Sequence, residues 1–352
     1  MAKKIVRIGF VGVGGMGQCA HLRNYVTVPD CKVVALAELR TGLGAKVAAR
    51  YDVPAVYSDY ESMLRSEDLD AIVASQPFER HGVLVPELLK AGIPVFTEKP
   101  LASTVPAGER IVKAMKRNRT WMMVGYHKRS DPATMYAKAE IDRLKSTGEL
   151  GPMRYVRILM PAGDWIAGGF TGLIRSDEPL GKLATSPCPS DMSPRLYKQY
   201  ILFVNYYIHQ VNLLRHLLGE PYKVTFADRG GVLFVAESKS GVTGVIEMSP
   251  YHNTVDWQES ALVAFDKGYV KIELPAPLAS NRAGRVEIMR DPGKGVMPQT
   301  IVPQFPWIHA MRQQAMNFVK AVQGDAEPMC RAEEALEDLK VARDYLRLFT
   351  GK

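Results

Sequence analysis

The first third of the chain alternates short apolar, β-branched runs with segments whose apolar residues recur at helical spacing. The predicted strands are Ile5–Val11, Lys32–Ala37, Ala71–Ala74, Pro94–Thr97 and Trp121–Val124. The helices predicted between them lie near 15–27, 42–51, 58–66, 79–91 and 105–118. Strands separated by helices are typical of βαβ units, which form a parallel sheet covered on both faces. Residues 1–125 are therefore predicted to form a doubly wound α/β domain.

The pattern changes after Gly125. A helix near 133–146 and a strand at 153–160 precede a stretch from 163 to 194, rich in Gly, Pro and Ser, that predicts a long loop. A strongly apolar segment then predicts one helix over 201–219. Strand-like runs with period-2 alternation follow at 222–228, 231–237, 242–249, 260–266, 269–274 and 285–290, and helices are predicted near 308–323 and 331–349. Strands in a block favour an open, mostly antiparallel sheet, so residues 126–352 are predicted to form an α+β domain. Whether the last helix packs back on the first domain is left open.

Composition limits the classes of partner. The net charge is +8, but the 45 basic residues are interspersed with 37 acidic ones, and no basic run is interleaved with aromatic residues. We therefore expect no nucleic-acid partner. No segment approaches the roughly 18 unbroken apolar residues of a membrane span, and we expect no membrane association. The four cysteines form neither a CxxC pair nor a zinc-like spacing, which favours reduced thiols in a cytoplasm and predicts no metal site.

A glycine-rich turn follows the first strand. The segment from residue 12 to residue 17 fits G-x-G-x-x-G and stands directly before a predicted helix, which is the context of a dinucleotide diphosphate site. Its predicted cofactor contacts are Gly12, Gly14, Gly15, Met16 and Gly17. Glu38 ends the second strand about 20 residues later, where an acidic side chain binds the ribose hydroxyls of NAD. Arg40 leaves NADP open as the alternative, because a guanidinium there accommodates a 2′-phosphate.

Polar residues also follow the next two strands. Ligands of a doubly wound sheet bind beyond the carboxyl ends of its strands, so the predicted contacts at the cofactor are Ser75, Gln76, Pro77, His81, Glu98 and Lys99. A lysine held between a glutamate and a proline can transfer a proton or hold a substrate hydroxyl. Without further information, a solvated loop lysine is the competing interpretation of Lys99.

The predicted helix over 201–219 is apolar except on one face. Four polar residues follow one another at spacings of four, three and four residues, which places them on one side of a single helix. They are Asn205, His209, Asn212 and His216. A buried polar stripe needs partners or a ligand, because an unpaired buried polar group costs roughly 1–3 kcal/mol. His209 is a candidate general base, since a neutral imidazole accepts a proton; a structural core histidine is the alternative.

Together these segments resemble the Gfo/Idh/MocA family, the relatives of glucose-fructose oxidoreductase and inositol 2-dehydrogenase. The resemblance is carried by residues 12–17, 75–77 with His81, 98–102, 125–129, 148–151, His209 and Pro328. It implies a Rossmann domain, an open α/β domain whose sheet forms a homo-oligomer interface, and nicotinamide chemistry on sugars or cyclitols. By the match, Lys99 and His209 are the active-site lysine and histidine. The residues expected to bind the substrate are Lys99, Tyr126, His127, Arg129, Asp164, Trp165, Asn205, Tyr206 and His209.

Two departures from the family widen the functional prediction. Many members carry aspartates where this chain has Asn205 and Asn212, so the usual lysine-aspartate-histidine arrangement is in doubt and the pocket is more positive. The leading hypothesis is an NAD-dependent sugar or cyclitol dehydrogenase acting on a small, sugar-like substrate. The alternative is an NAD-dependent glycosidase that oxidises, eliminates and re-reduces an anionic glycoside such as a sulfoquinovoside or uronide. A non-catalytic NAD-sensing module is a third hypothesis, disfavoured by the presence of Lys99 and His209.

Overall fold

A computed structural model describes residues 4 to 351. The chain forms two compact units, each assembled from separate segments. Of the described residues, the first unit comprises 4–126, 168–205 and 311–339, and the second comprises 127–167, 206–310 and 340–351. The domain boundary at residues 125 and 126 stays a prediction.

The first unit contains a six-stranded, all-parallel sheet with strand order β3-β2-β1-β4-β5-β6. Its strands are β1 (Val6–Val11), β2 (Cys31–Ala37), β3 (Ala55–Tyr57), β4 (Ala71–Ala74), β5 (Val95–Glu98) and β6 (Met122–Gly125). The sheet confirms the predicted doubly wound fold. Only β3 is absent from the sequence prediction, because this three-residue edge strand is too short to show an alternating pattern.

Helices connect the strands of this sheet. A π-helical turn, Gly17–Leu22, leads into α1 (Arg23–Tyr25), and the others are α2 (Thr41–Tyr51), α3 (Tyr60–Ser66), α4 (His81–Leu88) and α5 (Val105–Arg117). Two begin at side-chain caps that satisfy amides of the first turn. The Asp59 carboxylate accepts from the Ser62 amide at 2.6 Å, and the Thr104 hydroxyl accepts from the Ala107 amide at 3.1 Å.

The second unit is built on an eight-stranded sheet. Helices α6 (His127–Ser130) and α7 (Pro132–Thr147) precede β7 (Met153–Ala162). The later strands are β8 (Tyr222–Ala227), β9 (Leu233–Ser238), β10 (Thr243–His252), β11 (Glu259–Phe265), β12 (Gly268–Leu274), β13 (Arg285–Arg290) and β14 (Gln299–Ile301). Their order is β14-β13-β12-β11-β7-β10-β9-β8, and among these pairs only β7 with β10 is parallel, which confirms the predicted, mostly antiparallel sheet.

The segment before β8 differs from the prediction. Instead of one helix over 201–219, the chain forms α8 (Pro194–Tyr206) and α9 (Ile208–Leu218), interrupted at Tyr207. The prediction of a single helix was wrong because apolar periodicity continues across the interruption. The backbone carbonyl of Tyr207 accepts from the amides of Gln210 and Val211 and so starts a new helix there. The proposed stripe from Asn205 to His216 therefore does not lie on one continuous helix.

The chain ends with α10 (Ala310–Gln323) and α11 (Ala332–Thr350). Phe318 of α10 is fully buried in the core of the first unit, with its ring centroid 5.5 Å from that of Phe96 and 5.7 Å from that of Trp121. In the second unit, the fully buried side chains Ile158, Val263 and Ile272 alternate with more exposed neighbours on β7, β11 and β12, so one face of the sheet forms the core. Within residues 4–351, no helix is both long and apolar enough to cross a membrane.

Candidate active site

The glycine turn after β1 is shaped by two glycines that pack against neighbouring backbone and side-chain atoms. Gly12 has φ of +88°, and a Cβ there would lie 2.1 Å from Nε2 of Gln76. A Cβ on Gly17 would lie 2.7 Å from the carbonyl oxygen of Gly12. Neither position has room for a side chain, so this turn requires glycine at both ends.

At the two middle glycines, a Cβ would make only ordinary van der Waals contacts. A Cβ on Gly14 would meet its nearest atom, Nη2 of Arg40, only at 3.9 Å, and one on Gly15 would be 3.9 Å from the ring of Phe170. A backbone without side chains, ahead of the helical turn that begins beyond Met16, fits a diphosphate group. The residues present therefore fit a dinucleotide cofactor.

Glu38 lies at the end of β2 with its side chain 4% exposed. Its carboxylate accepts from the backbone amide of Val13 at 3.0 Å, from the Arg40 amide at 3.2 Å and from Nε of Arg40 at 2.7 Å. A carboxylate offers about four lone-pair sites, so three donors leave capacity for one ribose hydroxyl. The same contacts tie Arg40 to Glu38 beside the glycine turn.

The turn after β4 is joined to the turn after β5 through His81. Gln76 donates to the carbonyl of Val11 at 3.1 Å, which ties the turn Ser75–Pro77 to the end of β1. The fully buried His81 ring lies between the carbonyls of Gln76, at 3.3 Å, and Pro100, at 3.1 Å. Burial lowers the pKa of His81 and keeps the ring neutral, although its carbonyl partners favour the charged form. In this arrangement His81 holds backbone in place.

Glu98, at the end of β5, is paired with a histidine that the motif analysis did not single out. Nε2 of His21 lies 2.7 Å from Oε1 of Glu98, and Oε2 accepts from the Lys99 amide at 3.1 Å. Burial alone raises the pKa of Glu98, but the hydrogen bond and positive charge of His21, together with Lys99, outweigh it and hold the pKa below its usual value. Glu98 is therefore a charged, fixed support for the backbone of Lys99.

The side chain of Lys99 reaches the end of α8. Its ammonium donates to the backbone carbonyl of Asn205 at 2.5 Å. Carbonyls in the last turn of a helix lack intrahelical partners and carry partial negative charge, so a cation is favoured there. Asn205 thus contacts the lysine through its main chain rather than its amide group. Tyr126, the predicted substrate contact that follows β6, is buried, with 2% exposure.

The second unit brings the two predicted histidines together. The rings of His127 on α6 and His209 on α9 pack edge to face, with centroids 4.6 Å apart and planes at 76°. The guanidinium of Arg129 donates through Nε to the side-chain oxygen of Asn212 at 2.6 Å. The side chain of Asn212 therefore serves as an acceptor for Arg129. These contacts fix the orientation of the His209 helix relative to α6.

A buried ion pair lies beside these histidines and was missed by the motif analysis. The ammonium of Lys128, 4% exposed, is hydrogen-bonded to Glu259, whose side chain is completely buried. Glu259 also accepts from Gln210 at 2.7 Å and from the indole of Trp257 at 3.1 Å. Because Lys128 follows His127 and Gln210 follows His209, this network fixes the backbone of both histidines. Its only sequence signal is a charged residue inside the segment 125–129.

The other predicted substrate residues have mainly local contacts. The Asp164 carboxylate accepts from the amides of Ile166 and Ala167 at 2.9 and 3.1 Å, which makes it a turn-forming residue. Trp165 is 36% exposed, and its carbonyl accepts from the Leu278 amide. Burial raises the pKa of the Tyr206 hydroxyl, which keeps it protonated at neutral pH. Among residues 4–351, no cluster of three His, Cys, Asp or Glu side chains could hold a metal ion.

The first unit has a parallel sheet with strand order 3-2-1-4-5-6, a glycine turn after β1 and an acidic residue directly after β2. These features define a dinucleotide-binding Rossmann protein. Residues 6–126 match the model of the oxidoreductase family with an NAD-binding Rossmann fold. Over these residues the chain is similar to the Gfo/Idh/MocA oxidoreductases.

Relatives of this chain include cyclitol dehydrogenases. It is 34% identical over 137 residues to inositol 2-dehydrogenase of Rubrobacter xylanophilus, a match that spans 39% of each chain. The chain thus spans about two fifths of the length of the first curated relatives that it matches.

Solved structures match over nearly the whole chain. A putative NADPH-dependent oxidoreductase from Desulfitobacterium hafniense superposes with a TM-score of 0.76 at 15% identity, covering 100% of this chain and 97% of that one. A putative myo-inositol dehydrogenase from Sinorhizobium meliloti gives a TM-score of 0.69 at 21% identity, covering 98% of both. At these identities, the likeness establishes the shared fold.

Proposed function

We propose that this oxidoreductase is an NAD-dependent dehydrogenase of a sugar or cyclitol. The observation that carries the proposal is the backbone of Gly14 and Gly15, which bears no side chain, beside the buried carboxylate of Glu38, in a chain similar to inositol 2-dehydrogenases. When bound, the nicotinamide supplies the hydride acceptor. The substrate alcohol loses hydride from carbon and a proton from oxygen, so a ketone and the reduced cofactor are formed.

In this proposal, Lys99 and His209 carry the proton chemistry. The ammonium of Lys99, held by the carbonyl of Asn205 and by the Glu98-supported backbone, binds the substrate oxygen. The imidazole of His209 accepts the hydroxyl proton, and the edge-to-face ring of His127 limits its rotation. The family resemblance supports five further proposed substrate contacts, which are Tyr126, Arg129, Asp164, Trp165 and Tyr206.

NAD is the proposed cofactor rather than NADP. Glu38 bears a negative charge where the 2′-phosphate of NADP would lie, and the guanidinium of Arg40 is already bonded to Glu38. The family resemblance also supports a homo-oligomer formed through the eight-stranded sheet. We propose a cytoplasmic location, supported by cysteines that form no disulfide in residues 4–351.

A panel of cyclitols, neutral sugars and anionic sugars, assayed with NAD⁺, tests the proposal. Lys99→Met and His209→Gln should each lower kcat/KM by about 10²–10⁴-fold while leaving the Kd of NAD⁺ within about twofold of wild type. Lys116→Met, a change at an exposed lysine on α5, is the matched control and should retain full activity. Near-normal turnover in either variant would remove that residue from the mechanism, and absence of NAD(H) binding would end the proposal.

A redox-neutral glycosidase is the second candidate. It requires a cofactor that stays bound through oxidation, elimination of the aglycone, addition of water and re-reduction. A cofactor that stays bound is favoured by the packing of the segment 168–178 on the cofactor-binding turn, where the carbonyl of Ile174 accepts from Gln18 at 3.0 Å. Stoichiometry separates the two candidates: a dehydrogenase accumulates one reduced nicotinamide per substrate consumed, whereas the glycosidase releases aglycone with none.

A further inference from the structure

Residues 168–178 form a strap over the cofactor-binding end of the first unit. The strap belongs to the same compact unit as the glycine turn and α2. Its Phe170 ring faces Gly15 at 3.9 Å from the position of a Cβ, and Nη1 of Arg50, on α2, is hydrogen-bonded to the carbonyl of Gly172. The strap therefore runs from the diphosphate-binding turn towards α2.

Gln18 anchors the middle of the strap. Its side chain is buried, and its amide group donates to the Ile174 carbonyl at 3.0 Å while its oxygen accepts from the Ile174 amide at 3.0 Å. The same Nε2 donates to the carbonyl of Val13 at 2.8 Å. These bonds tie the strap to the backbone of the glycine turn itself, so its position is fixed relative to that turn.

The end of the strap brings a carboxylate to the start of α2. Glu178 accepts from the amide of Gly42 at 3.0 Å and from that of Leu43 at 2.9 Å, and Ser176 donates to it at 2.7 Å. The Ser176 hydroxyl and then these amides lower the pKa of Glu178, so its carboxylate is charged at neutral pH. An internal anion thus occupies the amides that begin an 11-residue helix.

This location has a specific meaning in a Rossmann unit. The adenosine ribose binds at the end of β2, and the 2′-phosphate of NADP is accommodated by groups just beyond it. In this chain those groups are Arg40, already bonded to Glu38, and the first amides of α2, already bonded to Glu178. Helix N-terminal amides are natural phosphate ligands, and here a negative side chain holds them.

We propose that Glu178 is a specificity-determining residue that selects NAD over NADP by occupying the α2 amides with a fixed negative charge. The inference rests on the proposed NAD-dependent function and adds a second determinant, from a distant segment of the chain, to Glu38. A 2′-phosphate would have to displace Glu178 from Gly42 and Leu43 or lie against its charge.

The experiment measures the Kd of NAD⁺ and of NADP⁺ for the full chain by calorimetry. Glu178→Gln keeps the shape and an oxygen acceptor for the α2 amides but removes the charge, and Glu178→Ala removes both. Asp177→Asn is the matched control, because Asp177 is an exposed neighbour whose substitution removes the same charge from the same strap. Thermal unfolding of each variant verifies that the fold is retained.

Both Glu178 variants should tighten NADP⁺ binding relative to NAD⁺ by about tenfold or more, whereas Asp177→Asn should leave the ratio within about twofold of wild type. Equal ratios in Glu178→Gln, Asp177→Asn and wild type would overturn the inference while leaving the proposed function intact. So would a wild-type protein that binds both cofactors equally, or an equal shift in the Asp177 control. Failure of the wild type to bind either cofactor would instead overturn the proposed function on which the inference rests.

Discussion

The buried pair of His21 and Glu98 links the helical turn after the glycine motif to the strand that carries Lys99. Both side chains are nearly inaccessible, with 2% and 11% exposure, and lie 2.7 Å apart. Removing His21 leaves the buried carboxylate of Glu98 without this hydrogen-bond partner, which is far more destabilising than losing a surface pair.

We predict that His21→Ala lowers the free energy of unfolding by about 3 kcal/mol at pH 7. Because the folded-state pKa of Glu98 is depressed, its contribution to stability is present above its unfolded pKa and is lost as pH falls through the folded value. In the variant the Glu98 pKa rises, so the deficit relative to wild type should shrink near pH 4. Urea unfolding at both pH values measures this.

His252→Ala, at an exposed histidine on β10, is the control for the His21 prediction and should change stability by less than about 0.5 kcal/mol. If His21→Ala were as harmless as this control, the pair would not stabilise the fold.

At this scale, motifs predicted part of the candidate site. The spacing of glycines, the strand-ending Glu38 and the E-K-P turn each have a local sequence signal. Gln18 and Glu178 have none and Lys128 has only its place in the segment 125–129, because their partners lie 156, 135–136 and 131 residues away along the chain. The role of a side chain that depends on a distant partner cannot be identified from local pattern.

Helix ends are the features at which elements depend most on single residues. Helix α9 ends at Gly219, which has φ of +72° and donates its amide to the carbonyl of Arg215 at 2.9 Å. A left-handed residue at this position closes the helix, and a Cβ there is disfavoured by about 1–2 kcal/mol. The correct ending of α9 therefore depends on glycine.

Gly219→Ala is expected to lower stability by about 1 kcal/mol. Gly181→Ala is the matched control, since Gly181 has no positive φ in the left-handed range and no atom within 4 Å of the added Cβ. That variant should be neutral to within about 0.5 kcal/mol. Thermal denaturation of both variants tests the comparison, and equal melting temperatures would show that the backbone conformation at Gly219 imposes no strain.

Most elements were predictable because their periodicity is strong and uninterrupted. The strands β4 and β13 match their predicted bounds, and β7 extends only two residues further. The interruption at Tyr207 was not predictable from apolar spacing, since both α8 and α9 continue the same pattern. The short edge strands β3 and β14 were missed because three residues do not establish a period.

At the scale of the molecule, the first unit depends on a helix encoded far from its sheet. Phe318 of α10 is 0% exposed and contacts the rings of Tyr25, Phe96 and Trp121 at centroid distances of 6.3, 5.5 and 5.7 Å. Phe318→Ala is predicted to destabilise the protein by about 3–5 kcal/mol, because it leaves a cavity in the core of the sheet domain.

Phe226→Ala, at a phenylalanine that is 54% exposed on β8, serves as the control and should cost less than about 1 kcal/mol. Guanidinium unfolding of the full chain compares the two. A loss at Phe318 no larger than that at Phe226 would contradict the assigned core.

The segmented construction of the first unit also governs the order in which the protein can fold during synthesis. Its six strands leave the ribosome early, but α10 starts about 185 residues after the end of β6. At roughly 5–20 residues per second, this delay is about 10–40 s. For that interval the aromatic surface formed by Tyr25, Phe96 and Trp121 is without Phe318, so the nascent sheet is a natural substrate for chaperones, and slowing elongation over residues 127–310 should lengthen its exposure to aggregation.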